Sequence, residues 1–181
     1  LLTQKVIVEG ALSLVLLSAK YQDLSLNHPE EAERKRYHAL LELLTPVAKT
    51  YPAEKGFEAV SNGLQVLGGY GYCSDFILQQ YFRDIRIFSI YEGTTGIQAM
   101  DLLGRKLGMK KGKPIMDLFA EVQATIAEGK KIDTVAAYAA SLEEAANKLG
   151  EVAMHMGATA MSPKVLTAFA FAHPFMEACG D

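Results

Sequence analysis

Read for its apolar positions, the chain is a succession of helices. Val6, Leu12, Val15, Leu16 and Ala19 place one broad helix over residues 1 to about 24, apolar on nearly all sides and expected to be buried between neighbours. Residues 25–28 read as a loop. Pro29, Glu30 and Glu31 then open a second helix, with proline in the first turn and acids at its positive end. Leu40, Leu43, Leu44 and Val47 form its apolar side. Pro46 is expected to kink or restart it, with Thr45 as a new cap, and Pro52 to interrupt it again. A third helical stretch over 53–67 carries Phe57, Val60, Leu64 and Leu67 on one face. The run Gly68-Gly69-Tyr70-Gly71-Tyr72 ends it and reverses the chain. Ile77, Tyr81, Ile85 and Phe88 recur at four, four and three, which predicts a helix over 76–88. Ile97, Met100, Leu103 and Leu107 predict the next, opened by a capping box of Thr95 and Gln98.

A polar linker over 109–113 marks a shift in composition. Beyond it Pro114 opens an amphipathic helix with Ile115, Leu118, Phe119, Val122 and Ile126 inward, ended by Gly129. Asp133 is expected to cap a long helix whose Val135, Leu142, Leu149 and Met156 fall seven apart, beside Tyr138, Ala145, Val152 and Thr159 at the same spacing. Ser162-Pro163 starts a last helix, with Val165, Leu166 and Phe169 inward until His173-Pro174 disturbs it. Nothing reads as a strand hairpin or a βαβ unit. The expected fold is all-α: an up-and-down four-helix bundle over 1–108 and a C-terminal three-helix extension over 114–181.

Composition narrows the function. Of 181 residues, 50% are hydrophobic, enough for one sizeable core, and the formal charge of −3 is too near neutral to argue for nucleic acid or an anionic membrane surface. No apolar run is read as approaching the roughly 20 residues of a membrane span. The two cysteines, Cys73 and Cys179, have neither metal nor disulfide spacing, which fits a reducing compartment. His28, His38, His155 and His173 are scattered, and no Glu-x-x-His pair supports a carboxylate metal bundle, so no metal site is expected. The chain opens on Leu1-Leu2-Thr3 already in helical pattern and stops at Cys179-Gly180-Asp181, which reads as an excised piece of a longer protein.

One stretch carries candidate chemistry. Arg83-Asp84-Ile85-Arg86 leads through Ile90 and Tyr91 to Glu92, a carboxylate beside Gly93 just before a helix start. Unpaired backbone N–H groups gather there. A general base fits that position, although an acid near a helix start commonly only complements the helix dipole. The glycines at 68 and 69 could admit a ligand phosphate, but a helix-end turn is the commoner use, and no strand precedes them as a dinucleotide fingerprint requires.

Taken together, Gln65-Val66-Leu67-Gly68-Gly69-Tyr70-Gly71-Tyr72, Arg83-Asp84-Ile85-Arg86, Ile90-Tyr91-Glu92-Gly93-Thr94 and Ile97-Gln98 resemble the C-terminal helical domain of the acyl-CoA dehydrogenase family. Leu44 to Lys49 and Gln4 to Gly10 agree. The region after Pro114 resembles the extra helical C-terminus of a longer subgroup that includes the methylthiopropionyl-CoA dehydrogenases. The resemblance implies an FAD-dependent oxidoreductase that dehydrogenates an acyl-CoA between Cα and Cβ. It implies Glu92 as the α-proton base, Tyr91 and Gly93 against substrate, and Thr94, Thr95, Gly96 and Gln98 toward the flavin. Gln65, Gly68 and Gly69 would approach the FAD of a neighbouring subunit. Phe88, Ile90 and Tyr91 are expected to give the base apolar, closed surroundings, and Arg83 with Asp84 to form an ion-paired helix end. The resemblance further implies a homo-oligomer, electron-transfer flavoprotein as acceptor, and the cytoplasm of a bacterium or another reducing compartment. This piece alone is expected to be inactive and free of flavin. The competing reading is a non-catalytic helical bundle serving oligomerisation or partner binding.

Overall fold

The computed structural model describes residues 1–160 and 171–180; the expectations for Ser162, Pro163, Val165, Leu166 and Phe169 lie outside them. Among the described residues there are seven α-helices and no strand, an all-α fold. Helix α1 spans Leu2–Asn27 and α2 spans Glu31–Leu67, a length of about 56 Å at 1.5 Å per residue. The short connection between them makes the pair an antiparallel hairpin. Arg34 fixes it by donating to the carbonyls of His28 at 2.6 Å and Pro29 at 3.1 Å.

Helix α2 departs from the expected pair of interrupted helices: it runs unbroken through Pro46 and Pro52. Each proline removes one backbone bond and crowds the preceding turn. Burial compensates, because Leu40, Leu43, Leu44, Val47 and Ala53 all lie in the interior along this stretch. Packing therefore overrides the local break.

The α1 side of this packing corrects a second expectation. Ile7, Leu14 and Tyr21 face α2 seven apart, with the small or polar Gln4, Ala11, Ser18 and Ser25 in the same seam, and only Ile7 and Tyr21 are buried. Val6, Leu12, Val15 and Leu16 face outward and are exposed. Gln4 Nε2 donates to the Ala59 carbonyl at 2.7 Å, which sets the register. Helix α1 is also long and apolar enough to cross a membrane by length and composition, contrary to the sequence reading. Scattered polar residues hid this, because no single unbroken apolar run carries it.

Gly68, at φ 60°, ends α2, and a 3-10 turn over Gly68–Tyr72 reverses the chain. Helix α3, Leu78–Arg86, is shorter than the expected 76–88 and closes in a 3-10 turn, Ile87–Ser89. It returns along α2, with the Phe57 and Phe82 rings 4.8 Å apart. Helix α4, Thr95–Asp101, passes into a π-helical turn, Leu102–Lys106, closed by Leu107 N–H donating to the Leu102 carbonyl at 3.0 Å. Lys106 is buried there and reaches Glu42 at 3.5 Å.

The linker turns sharply through left-handed Lys110, Lys111 and Gly112 into α5, Lys113–Gly129. Helix α6, Ala136–Ala160, begins after a turn over 130–135, so Asp133 is not its cap; Ala136 N–H donates instead to the Ile132 carbonyl at 2.9 Å. Its inward seam is displaced from the expected one. Ala139, Ala146 and Ala153 lie inward with Leu149 and Met156, whereas Val135, Tyr138, Leu142 and Val152 are exposed. Small residues win the contact because α5 comes close; a Cβ on Gly129 would lie 3.1 Å from that of Ala139. Helix α7, Ala172–Gly180, contains His173-Pro174 in its first turn and is not disturbed by it, since a first-turn proline lacks only an N–H that has no helical partner.

One core draws on nearly every element: Leu43 and Val47 of α2, Ala99 of α4, Leu102 and Leu103 of the π turn, Met156 of α6, and Ala172, Phe175 and Met176 of α7. A second cluster sets Tyr21, Leu40 and Leu44 against Leu118 of α5.

Candidate functional site

The chain between Ser89 and Thr95 makes a tight turn with two consecutive positive φ angles, 53° at Glu92 and 93° at Gly93. Glycine is favoured at 93 because a φ of 93° strains any L side chain; a Cβ there would also press on the free end of the Gln98 side chain, 2.7 Å from its Nε2. Glu92 has no such freedom. A non-glycine residue in the left-handed region costs of order 1 kcal/mol or more and persists where its surroundings dictate it. The Glu92 side chain is exposed.

Four contacts dictate this turn. Gln98 Nε2 donates to the Glu92 carbonyl at 3.4 Å. Lys49 Nζ, from α2, donates to the Gly93 carbonyl at 2.7 Å. The buried Thr95 hydroxyl donates to Glu54 Oε1, also from α2. Thr94 is the N-cap of α4, its Oγ1 accepting from Ile97 N–H at 3.4 Å. The cap thus falls one residue before the expected Thr95. Gln98, four residues on, braces the turn instead of closing a capping box. Arg86 fixes the preceding helix end by donating to Ser89 Oγ at 2.5 Å, and among the described residues the expected Arg83–Asp84 ion pair does not form.

The structure therefore brings Tyr91, Glu92, Gly93, Thr94, Thr95, Gly96 and Gln98 into one turn. Thr94 and Gly96 are exposed, and a Cβ on Gly96 would meet nothing within 4 Å, so this side of the turn has room for a ligand. Thr95 and Gln98 spend their side chains on the protein. The apolar surroundings are open on this chain: Phe88 and Tyr91 pair at 5.8 Å yet remain 44% and 43% exposed, and Ile90 is 48% exposed.

Gln65, Gly68 and Gly69 stand apart from that turn. Eleven residues of α2 separate Glu54 from Gln65, about 16 Å along the axis. All three are exposed, and no atom lies within 4 Å of a Cβ built on either glycine. Sequence reasoning missed Lys49 and Glu54 as residues of the site. Both sit on a helix far along the chain, and nothing local distinguishes them from solvated helix residues. An apolar groove of about 870 Å³ opens elsewhere, among the π turn, α5 and α6, and none of the candidate residues lines it.

An all-α chain built around this turn meets the description of one family, and comparison with known proteins agrees. Residues 6–107 match the acyl-CoA dehydrogenase C-terminal domain, and residues 118–181 match the acetyl-CoA dehydrogenase C-terminal-like domain. The chain belongs to the acyl-CoA dehydrogenase family. Among its relatives, a butyryl-CoA dehydrogenase of Syntrophomonas wolfei is 33% identical over 94% of this chain and 28% of its own length. The 3-methylmercaptopropionyl-CoA dehydrogenase of Ruegeria pomeroyi is 36% identical over 71% of this chain and 22% of its own length. The fold is that of Caenorhabditis elegans ACDH-11, solved in complex with C11-CoA, with a TM-score of 0.77, 22% identity, and coverage of 97% of this chain and 30% of that one. The chain thus spans less than a third of each of these proteins.

Proposed function

We propose that this chain is the C-terminal part of an FAD-dependent acyl-CoA dehydrogenase in which Glu92 removes the α-proton of an acyl-CoA thioester. The observation that carries the reading is the backbone of Glu92. An exposed carboxylate is held in a left-handed conformation by side chains from two helices, an arrangement a helix-dipole complement does not need.

The carboxylate takes the proton from Cα while the electron pair shifts toward the thioester carbonyl. The Glu92 backbone N–H is the proposed donor to that carbonyl oxygen, stabilising the charge that makes the α-proton removable. Tyr91 and Gly93 would lie against the substrate. Thr94 and Gly96 fit a flavin contact because they are exposed beside open space, whereas Thr95 and Gln98 contribute by shaping the turn. When bound, FAD supplies the acceptor for the hydride leaving Cβ. Gln65, Gly68 and Gly69, exposed at the far end of α2, suit a cofactor held by a neighbouring subunit. Family membership supports acyl-CoA as substrate, a homo-oligomer, and electron-transfer flavoprotein as acceptor. The two family matches support a bundle over 1–108 and an additional unit over 114–181.

The test is Glu92→Gln in the full-length protein, which keeps size and removes the base. General-base loss is worth about 10²–10⁴-fold, and it should appear in stopped-flow flavin reduction, with acyl-CoA affinity kept. Glu58→Gln is the control, since Glu58 is exposed and only approaches Lys55 at 3.8 Å. Reduction within a few fold of wild type in Glu92→Gln would sink the assignment.

A further inference from the structure

The turn that carries Glu92 is anchored from outside itself. One hydrogen bond that ties its backbone to α2 runs from Lys49 Nζ to the Gly93 carbonyl, 2.7 Å long and spanning 44 residues of chain. Lys49 is half-buried, and among the described residues its ammonium donates to that carbonyl and forms no ion pair. A cation held on a backbone carbonyl gives a charge-assisted bond, about twice as strong as a neutral one.

The geometry has a consequence across the peptide. Among the described residues no peptide bond is cis, so the carbonyl of Gly93 and the N–H of Thr94 point in opposite directions. With the oxygen drawn toward α2, the Thr94 N–H is turned away from α2. The ammonium also polarises that peptide, which makes its N–H a stronger donor. Glu54 secures the next residue but one through the Thr95 hydroxyl, so the Gly93–Thr94 peptide is pinned on both sides.

We propose that Lys49 is a positioning residue for this site: it fixes the Gly93–Thr94 peptide, and through it the left-handed backbone of Glu92. The anchoring stands on the contacts above. Its catalytic consequence rests on the reading of Glu92 as the base.

Two measurements separate these. Hydrogen exchange on the 181-residue chain compares wild type, Lys49→Met and Lys49→Arg, reading a peptide that covers residues 88–98. Lys49→Met should exchange about tenfold faster there, with protection of α1 and of the rest of α2 unchanged, and Lys49→Arg should restore it. Unchanged exchange in Lys49→Met overturns the proposal whatever Glu92 does. So does a loss of protection throughout the bundle, which would make Lys49 a general packing residue. In the full-length protein, with butyryl-CoA as probe, Lys49→Met should slow flavin reduction about 10–100-fold with acyl-CoA affinity kept, and Lys49→Arg should recover most of the rate. A wild-type rate in Lys49→Met alongside a dead Glu92→Gln overturns the catalytic part. A wild-type rate in Glu92→Gln instead sinks the base reading, while faster exchange in Lys49→Met still supports the anchoring.

Discussion

At the scale of single residues, the best-defined polar joint lies away from the proposed site. The Tyr21 hydroxyl of α1 donates to Glu121 Oε2 of α5 at 2.5 Å, and Arg36 of α2 reaches Glu121 Oε1 at 2.5 Å and Glu33 at 3.4 Å. Three helices meet on one carboxylate. Burial, and then the bond to Glu121, push the Tyr21 phenol well above its ordinary pKa of 10.0. Above about pH 10 the unfolded chain ionises this group while the folded chain cannot. Its contribution is therefore complete below pH 10 and is lost as pH rises toward the folded value. Tyr21→Phe should cost about 1–3 kcal/mol near neutral pH, the usual worth of a hydrogen bond to a charged group. It should also flatten the fall in stability above pH 10. Denaturant melts at pH 7 and pH 10.5 read both effects, and an unchanged alkaline slope would remove Tyr21 as its source. Glu42 carries a second polar joint. Nothing local in the sequence marks it, yet it is the partner of buried Lys106 at 3.5 Å.

Elements show where sequence patterns suffice and where packing decides. The end of α2 is legible, because glycine at 68 supplies the positive φ a helix stop needs. Gly71 serves another purpose: a Cβ there would lie 2.8 Å from the Leu64 carbonyl oxygen and 3.0 Å from its Cα. Gly71→Ala must displace backbone and should cost about 1–3 kcal/mol. Gly69→Ala, in open space without positive φ, should be neutral to within a few tenths of a kcal/mol. Equal melting midpoints for the two variants would contradict this account. The turn after α3 was legible in kind, as a carboxylate beside glycine before a helix. Its backbone strain and its anchors on α2 were not, because long-range contacts leave no local periodicity. The expected burial of α1 on all sides and the expected α6 seam failed for a related reason. Small residues such as Ala11, Ser18, Ala139 and Ala146 make the close contacts, so counting large apolar residues points to the outer face. Pro46 and Pro52 misled in the same way, since burial along α2 outweighs what proline costs locally.

At the scale of the molecule, the two family-matched stretches are not independent layers. Met156, Ala172, Phe175 and Met176 complete a core that begins with Leu43 and Val47. The extension therefore fills one side of the bundle and leaves another bare. That bare side is the outer face of α1, where Leu2, Val6, Leu12 and Leu16 are 76%, 61%, 55% and 59% exposed. Contiguous apolar surface of this kind marks an interaction face. The 181-residue chain is expected to associate through it, and light scattering on the purified chain should report a species larger than the monomer mass of 19.7 kDa. Leu12→Lys combined with Leu16→Glu should shift the chain toward monomer. Helix content should hold, because both positions lie off the seam that packs on α2. A wild-type chain that stays monomeric at high concentration and binds no apolar dye would overturn the expected association. A double variant that loses its helix signal would show that these leucines hold the fold rather than the assembly.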